Sequence, residues 1–188
     1  SEVLKTDWLS FGKLRVAYAN VGGDTDPYAT KLYYNVNAAK INGNPIGGFD
    51  NTLPNTTLKP LTVSEIEAGL ELKLFDARLT LDAAWYQKDT RNEIVTATVS
   101  ASSGFQSAII NNGQLQNTGF EFLLSGKIIE GKDFAWTSSI NFSANNNTVV
   151  ALAEGQKSLS IAQSRTLTAF VQHRVGEPFA QIVAFDFA

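Results

Sequence analysis

Residues 62–90 read TVSEIEAGLELKLFDARLTLDAAWYQKDT, and the alternation inside them decides the fold. In the first half Ile66, Ala68, Leu70, Leu72 and Leu74 share one parity, while Glu65, Glu67, Glu71 and Lys73 share the other. After Phe75-Asp76-Ala77 the alternation resumes, with Leu79, Leu81, Ala83 and Trp85 set against Arg78, Thr80, Asp82 and Lys88. A period of two places such sets on opposite faces of a strand. A helix does not account for the pattern, because Glu67, Glu71 and Lys73 interrupt every stripe of spacing three and four that collects the leucines. The stretch therefore predicts a hairpin of strands 62–74 and 78–90 with one apolar and one charged face.

The same signature recurs on either side. In 8–20, WLSFGKLRVAYAN, the residues Trp8, Leu14, Val16 and Tyr18 oppose Lys13 and Arg15, which predicts a strand over about 11–20. In 117–129 Phe120, Phe122, Leu124 and Ile128 oppose Glu121, Ser125 and Lys127; Glu130-Gly131-Lys132-Asp133 makes a tight turn. In 133–147 Phe134, Trp136, Ile140, Phe142 and Ala144 oppose Thr137, Ser139, Asn141 and Ser143. Residues 21–60 are rich in Gly, Asn, Asp, Thr and Pro, the mark of a loop, and a loop of that length is unusual in a compact domain. Residues 91–116 are expected to form a second long connection, with one short strand at 93–99. Residues 148–168 carry no strong signal, and 169–175 and 178–187 are short strand candidates interrupted by Gly176-Glu177-Pro178.

Long and short links thus alternate, which in an up-and-down sheet puts every short link at one end. Outer-membrane barrels are built in this way. The predicted strands run to ten or more residues, against about five or six in soluble proteins and about 9–11 for a tilted membrane strand. No charge intrudes on the apolar parity from Ile66 to Leu74, Leu79 to Trp85, Phe120 to Ile128 or Phe134 to Phe142. The fold class that follows is all-β: an antiparallel up-and-down transmembrane β-barrel segment with long extracellular loops and short periplasmic turns. Its predicted lipid-facing residues are Ile66, Leu70, Leu72, Leu79, Leu81, Trp85, Phe120, Phe122, Leu124, Trp136, Ile140 and Phe142. Lipid does not tolerate an open sheet edge, so five or six strands are expected to be an arc of a larger wall without an internal domain boundary. A soluble β-sandwich also alternates, but strand length and the rhythm of the links favour the barrel.

Composition sets the bounds. Charged residues make up 18% of the 188 residues, below the roughly 25% of soluble domains, and the net charge of -3 gives nucleic acid no electrostatic footprint. Cysteine is absent, which excludes zinc–thiolate sites, thiol catalysis and disulfides together. No run approaches the roughly 18 apolar residues of a membrane helix; a mean hydropathy near zero leaves barrel strands open, because they show lipid only every second residue. The chain starts at Ser1 and contains no Met, so a processed or excised portion of a longer product is expected.

Residues 53–94 resemble the C-terminal barrel of TonB-dependent outer-membrane receptors through Asn55, Leu58-Lys59-Pro60, Glu67-Ala68-Gly69-Leu70-Glu71, Arg78-Leu79, Tyr86 and Thr90. Thr56 stands where the pattern has its first Pro, and Leu61 where it has Glu. Residues 103–129 are similar to the SusC/RagA branch, through Ser103-Gly104-Phe105, Asn111, Gly113, Asn117, Gly119 and Glu121. Lys132-Asp133-Phe134, Trp136, Asn141-Phe142-Ser143 and Val175-Gly176-Glu177-Pro178 continue the likeness, which covers roughly 11–180. The resemblance implies a multi-pass barrel of about 22 strands in the outer membrane of a Gram-negative bacterium. It also implies active import of oligosaccharides, or of peptides in some members. The expected partners are a SusD-like surface lipoprotein and TonB, the latter acting through a plug region that this chain does not contain. A passive porin-like channel, a soluble carbohydrate-binding β-domain, and an adhesion or secretion component are the rival readings.

No enzyme is expected, and no catalytic, cofactor or metal residue is assigned. Asp24-Thr25-Asp26 offers oxygen ligands but lacks a fuller calcium loop and reads as a solvated turn beside Gly22, Gly23 and Pro27. His173, the one histidine, has no partner for a metal site and reads as an exposed or lumenal residue. Glu65, Glu67, Glu71 and Asp82 suggest paired carboxylates, yet their regular spacing fits a water-filled or plug-facing lumen. Tyr28, Tyr33 and Tyr34 lie in the first long loop as candidate contacts to ligand or lipoprotein, with ordinary loop packing an equal account.

Replacing Leu70 or Leu81 by Arg is expected to impair membrane assembly more than replacing Glu71 or Asp82 by Ala, by about 2–4 kcal/mol if the leucine lies near the bilayer midplane. Heat-modifiable migration of the full-length protein from outer-membrane fractions measures this. Equal tolerance at both parities removes the lipid-facing assignment.

Overall fold

The computed structural model describes residues 6, 8–27, 29–153, 155–166 and 168–186, without the side chains of 37–39. The strands in chain order are β1 (Leu9–Gly23), β2 (Tyr34–Ile41), β3 (Asn44–Phe49), β4 (Thr52–Leu53), β5 (Leu61–Leu74) and β6 (Leu79–Thr98). They continue with β7 (Ser107–Glu130), β8 (Ala135–Ala151), β9 (Ser158–Gln163), β10 (Ala169–Arg174) and β11 (Gln181–Ala184). The main sheet has the order β1-β5-β6-β7, with β4 and β8 also pairing to β7. The chain divides into two compact units, residues 1–20, 63–89 and 116–147, and residues 21–62, 90–115 and 148–188.

In the first unit, hairpin connections make sequential strands antiparallel neighbours. The β5–β6 turn carries three consecutive non-glycine residues at positive φ: Phe75 at 52°, Asp76 at 54° and Ala77 at 62°. Such residues cost about 1–2 kcal/mol each, and specific bonds hold them in place. Phe75 N donates to Trp8 O at 3.0 Å, Asp76 N to Ser10 Oγ at 2.8 Å, and Arg78 N to Phe75 O at 3.1 Å. The β7–β8 turn closes through Gly131 N to Phe134 O at 2.9 Å.

The two parities meet different surroundings. On one face Arg15 reaches across to Glu67, Gly69 and Asp82, and Tyr86 reaches across to Gly119. Ser125 and Ser139 join on β7 and β8 through a 2.8 Å hydroxyl contact. On the other parity large apolar side chains stand in the open: Leu14 is 74% exposed, Tyr18 69% and Ile140 60%, with Ile66, Leu70, Trp85, Phe120, Trp136 and Phe142 also exposed. Leu72, Leu79, Leu81, Phe122 and Leu124 are half-buried. Leu123 and Ile129 are exposed apolar residues on the opposite parity, which alternation alone does not explain.

In the second unit, residues 21–60 are not one loop. β2 and β3 form an antiparallel hairpin about Asn42 (φ 50°) and Gly43 (φ 81°), a two-residue turn of the type that Asn-Gly favours. β4 then pairs in parallel with the start of β7, Thr52 with Ser107 and Leu53 with Ala108. β9, β10 and β11 make an antiparallel three-stranded sheet. Ala97, Leu115, Val149, Leu152 and Leu159 are the buried core, with Val95, Ile110 and Ile161 packed against it.

The second long connection is corrected as well. β6 runs on to Thr98 and β7 starts at Ser107, so only 99–106 connect them, through a 3₁₀ turn at Ala101–Ser103 closed by Gly104 at φ 82°. Charge alternation stops after Lys88, but β-branched Ile94, Val95, Thr96 and Thr98 sustain the strand. The Asn-rich stretch that suggested loop saturates backbone instead. Asn111 Nδ2 donates to Lys59 O at 2.8 Å and Asn92 O at 2.9 Å, and its Oδ1 accepts from Lys59 N at 2.8 Å. Asn92 sits at φ 56°, an irregular point on β6 that Asn111 bridges. β8 likewise extends to Ala151 and β9 lies within 148–168, where no strong signal stood.

Gly119 lies under the Tyr86 ring, and a Cβ there would collide with the ring carbons and hydroxyl. Gly119→Leu is expected to cost about 1–3 kcal/mol, read as a lower denaturant midpoint of the full-length protein in detergent. Adding Tyr86→Ala is expected to recover part of the loss, since the two positions share one contact. Strict additivity contradicts the packing.

Candidate functional site

Three features of the chain carry chemistry. The first is the charged cluster on the polar face. Arg15 donates to Asp82 through both terminal nitrogens, at 2.7 and 3.3 Å, a forked pair that fits guanidinium to carboxylate. Its Nε lies 3.6 Å from Glu67 Oε1. Gly69 leaves the space its stem occupies, for a Cβ there would collide with Arg15. Lys73 pairs with Glu71 at 3.7 Å. Of the carboxylates on this face, Asp82 and Glu67 thus share one guanidinium and Glu71 pairs with Lys73. Beside them a cavity of about 280 Å³ is lined by Arg15, Asp82, Ala84, Glu121, Leu123 and Asn141.

The second feature is a border on the apolar parity. There Tyr18 gives way to Asn20, Ile66 to Ser64, Trp85 to Gln87 and Asp89, Phe120 to Thr118 and Gln116, and Ala144 to Asn146. Asp89 accepts from Gln87 Nε2 at 3.0 Å and from Gln116 Nε2 at 3.1 Å, which draws β6 and β7 together at this level. Behind the border, Ile66–Leu74 and Phe120–Ile128 each span nine residues of alternating apolar side chains. At about 3.3 Å per residue that is about 26 Å along the strand, or about 20 Å in height at a tilt near 40°.

The third feature is a pocket of about 470 Å³ in the second unit, within the range of small-ligand sites. Its apolar side is made by Leu32, Pro54, Ile94, Val95 and Ile109; its polar side by Asp24, Asp26, Asp50, Lys31 and Tyr33. Carboxylates accept hydroxyl or ammonium hydrogens, lysine donates, and the tyrosine ring offers a stacking face. Of the three loop tyrosines, Tyr33 lines this pocket. Tyr34 packs edge-on against Phe49 at 6.5 Å, and Phe49 in turn meets Phe105 at 5.6 Å. Tyr28 lies outside the described residues. Asp24, expected in a solvated turn, accepts from Thr25 N at 2.8 Å while lining the pocket. Asp50, Lys31 and Ile94 gave no signal in the sequence, because only the chain's return from β3 through β6 brings them together.

His173 corrects an expectation. It is 1% exposed, not on the surface, and its ring lies 4.2 Å from that of Phe179. Asn112, also 1% exposed, donates Nδ2 to His173 Nδ1 at 2.9 Å and to Glu93 Oε2 at 3.4 Å. Burial pushes the imidazole below its ordinary value of 6.5, and the charge of Glu93 opposes that shift. A lone histidine announces no partner in sequence. Among the described residues no group of three or more metal-ligating side chains converges.

The model of the family "TonB dependent receptor-like, beta-barrel" matches residues 4–179. The chain belongs to that family. It is 32% identical over 145 residues to TonB-dependent receptor P3 of Formosa agariphila, covering 76% of this chain and 14% of that one. It is 30% identical over 105 residues to TonB-dependent receptor SusC of Bacteroides thetaiotaomicron, covering 55% of this chain and 10% of SusC. A structure of the RagAB peptide transporter superposes with a TM-score of 0.80 at 24% identity, covering 94% of this chain and 19% of that one. The all-β TonB-dependent receptor barrel fold is thereby established, in agreement with the resemblance carried by residues 53–94 and 103–129. Barrels of this family are outer-membrane proteins of Gram-negative bacteria. The chain spans 14% of the length of the first curated relatives it matches.

Proposed function

We propose that these residues form part of the wall of a SusC-like importer that carries nutrients actively across the outer membrane. The carrying observation is the sheet itself: five long strands of one receptor family, apolar on one parity, with many of those side chains exposed, and polar on the other, where Arg15, Glu67 and Asp82 link three strands. On this reading the face of Leu70, Leu81, Phe120 and Ile140 meets lipid, and the border at Gln87, Asp89 and Gln116 marks the headgroup level. The cluster of Arg15, Glu67 and Asp82 faces the lumen and a plug supplied by the rest of the receptor, on which TonB acts. Long links are then extracellular, as in other barrels of the outer membrane, and a SusD-like lipoprotein caps the mouth.

Oligosaccharide is the cargo favoured by the likeness to SusC and by a pocket that combines carboxylates, lysine and a tyrosine face. Peptide is the alternative, raised by the RagAB peptide transporter's similarity in fold. No step of chemistry is assigned; cargo enters and leaves unchanged.

Uptake by the full-length receptor in its own outer membrane is expected to require TonB and to stop when a protonophore collapses the inner-membrane gradient. Uptake that persists without TonB makes the protein a passive channel. Competition between labelled oligosaccharides and labelled peptides decides the cargo. Replacing Tyr33 and Asp50 by Ala together is expected to weaken cargo binding about tenfold, on the scale of one or two lost hydrogen bonds. Unchanged affinity removes the pocket from the transport path.

A further inference from the structure

We propose that His173 and Asn112 form a proton-sensitive latch that holds the β9–β10–β11 sheet against β6 and β7, and that mildly acidic surroundings release it. The contact lies wholly within residues 90–115 and 148–188, so one compact unit contains both halves of the latch.

The direction of each hydrogen bond makes the contact sensitive to one proton. Asn112 Nδ2 donates both to His173 Nδ1 and to Glu93 Oε2. Nδ1 is therefore an acceptor, and the ring is neutral with its hydrogen on Nε2. Protonation places a second hydrogen on Nδ1, directly against the amide hydrogens of Asn112. Turning the amide over relieves that clash by offering Oδ1 to Nδ1–H, but it then points Oδ1 at the Glu93 carboxylate, acceptor against acceptor. Only the neutral ring lets one amide serve both neighbours.

The site has little slack to absorb the mismatch. Among the described residues Asn112 Oδ1 and His173 Nε2 have no hydrogen-bond partner although both side chains are buried, and a buried polar group without a partner is destabilising. Glu93, from β6, is the charged group facing the ring, and it favours the protonated form. Among the described residues, Leu159 stands opposite on β9 and Phe179 lies against the ring, while Lys157, whose carbonyl accepts from Val175 N at 3.1 Å, is exposed. Arg174 is exposed and donates instead to Gln172 Oε1 at 3.2 Å. Glu177 is exposed too, and its carbonyl accepts from Val149 N at 3.0 Å.

The sheet has further attachments that release does not remove. Gly176 N donates to Val149 O at 2.8 Å, and Leu159 sits in the core with Ala97, Leu115 and Val149. Release is therefore a loosening of the sheet on its support. The sign follows from burial. The docked ring has its pKa below 6.5, and the released ring returns to about that value. The released form binds more protons, so docking is complete above pH 6.5 and weakens as pH falls through the window below it.

Hydrogen exchange of the full-length receptor in detergent, at pH 7.5 and 5.5 and corrected for intrinsic rates, tests the latch. Peptides covering 158–174 are expected to exchange faster at the lower pH, by at most about tenfold per pH unit inside the window, while peptides covering 66–85 stay unchanged. Equal corrected exchange at both pH values overturns the proposal. His173→Gln is expected to abolish the response, and a response of wild-type size in that variant overturns it as well. Should His173→Gln exchange fast at both pH values, Glu93→Gln decides. The new amide can turn a donor to the turned-over Asn112 Oδ1 and so relieve the clash that protonation creates, so the pH response is expected to shrink, and a response of wild-type size overturns the latch.

Discussion

Backbone pairing locks side-chain parity, and the long strands depend on that constraint. A strand fixes only which of its residues face together; hydrogen bonds to neighbours fix which faces of successive strands coincide. Arg15 on β1 reaching Glu67 on β5 and Asp82 on β6 is the direct record of that agreement. Once three strands present their charges to one side, their leucines, isoleucines and aromatics have nowhere to go but the other. An exposed apolar face of this extent is tolerated only where something other than water covers it.

Much of this was legible because alternation is local. Leu70 and Glu71 declare their faces to anyone reading two residues at a time, and the alternating stretches within 62–90, 117–129 and 133–147 lie on observed strands, although β6, β7 and β8 run well beyond them. What failed was local signal of a different kind. Asn42-Gly43 is a strong short hairpin signal, yet it lies inside a stretch whose Gly, Asn and Pro content points to loop throughout. Asn111 and Asn112 looked like linker composition, whereas one satisfies the backbone of Lys59 and Asn92 and the other anchors His173. Polar residues that bond to distant backbone are indistinguishable in sequence from polar residues that bond to water.

The pocket and the histidine failed for a topological reason. Asp24, Asp50 and Ile94 are brought together by the path of the chain through β2, β3 and β6, and no spacing rule encodes that return. Tyr28, Tyr33 and Tyr34 are equal candidates in sequence, but Tyr33 lines the pocket while Tyr34 places its ring against Phe49. Adjacent residues on extended chain face apart, so a run of aromatics is not a site until the backbone says which of them share a side.

The glycines of the polar face settle an ambiguity that hydrophobicity leaves open. Sliding a strand by one residue turns its apolar set to the wrong side, but sliding it by two restores both faces and offends no polarity rule. Gly69 and Gly119 break that degeneracy. Each is a notch one side chain deep, filled by Arg15 in one case and by Tyr86 in the other. A two-residue slip of β5 against β1 brings Glu67 or Glu71 beneath the arginine stem in place of the notch, and a slip of β7 against β6 sets Asn117 or Glu121 under the tyrosine ring. The wall is therefore keyed as well as patterned, and its alignment is read from missing atoms as much as from those present.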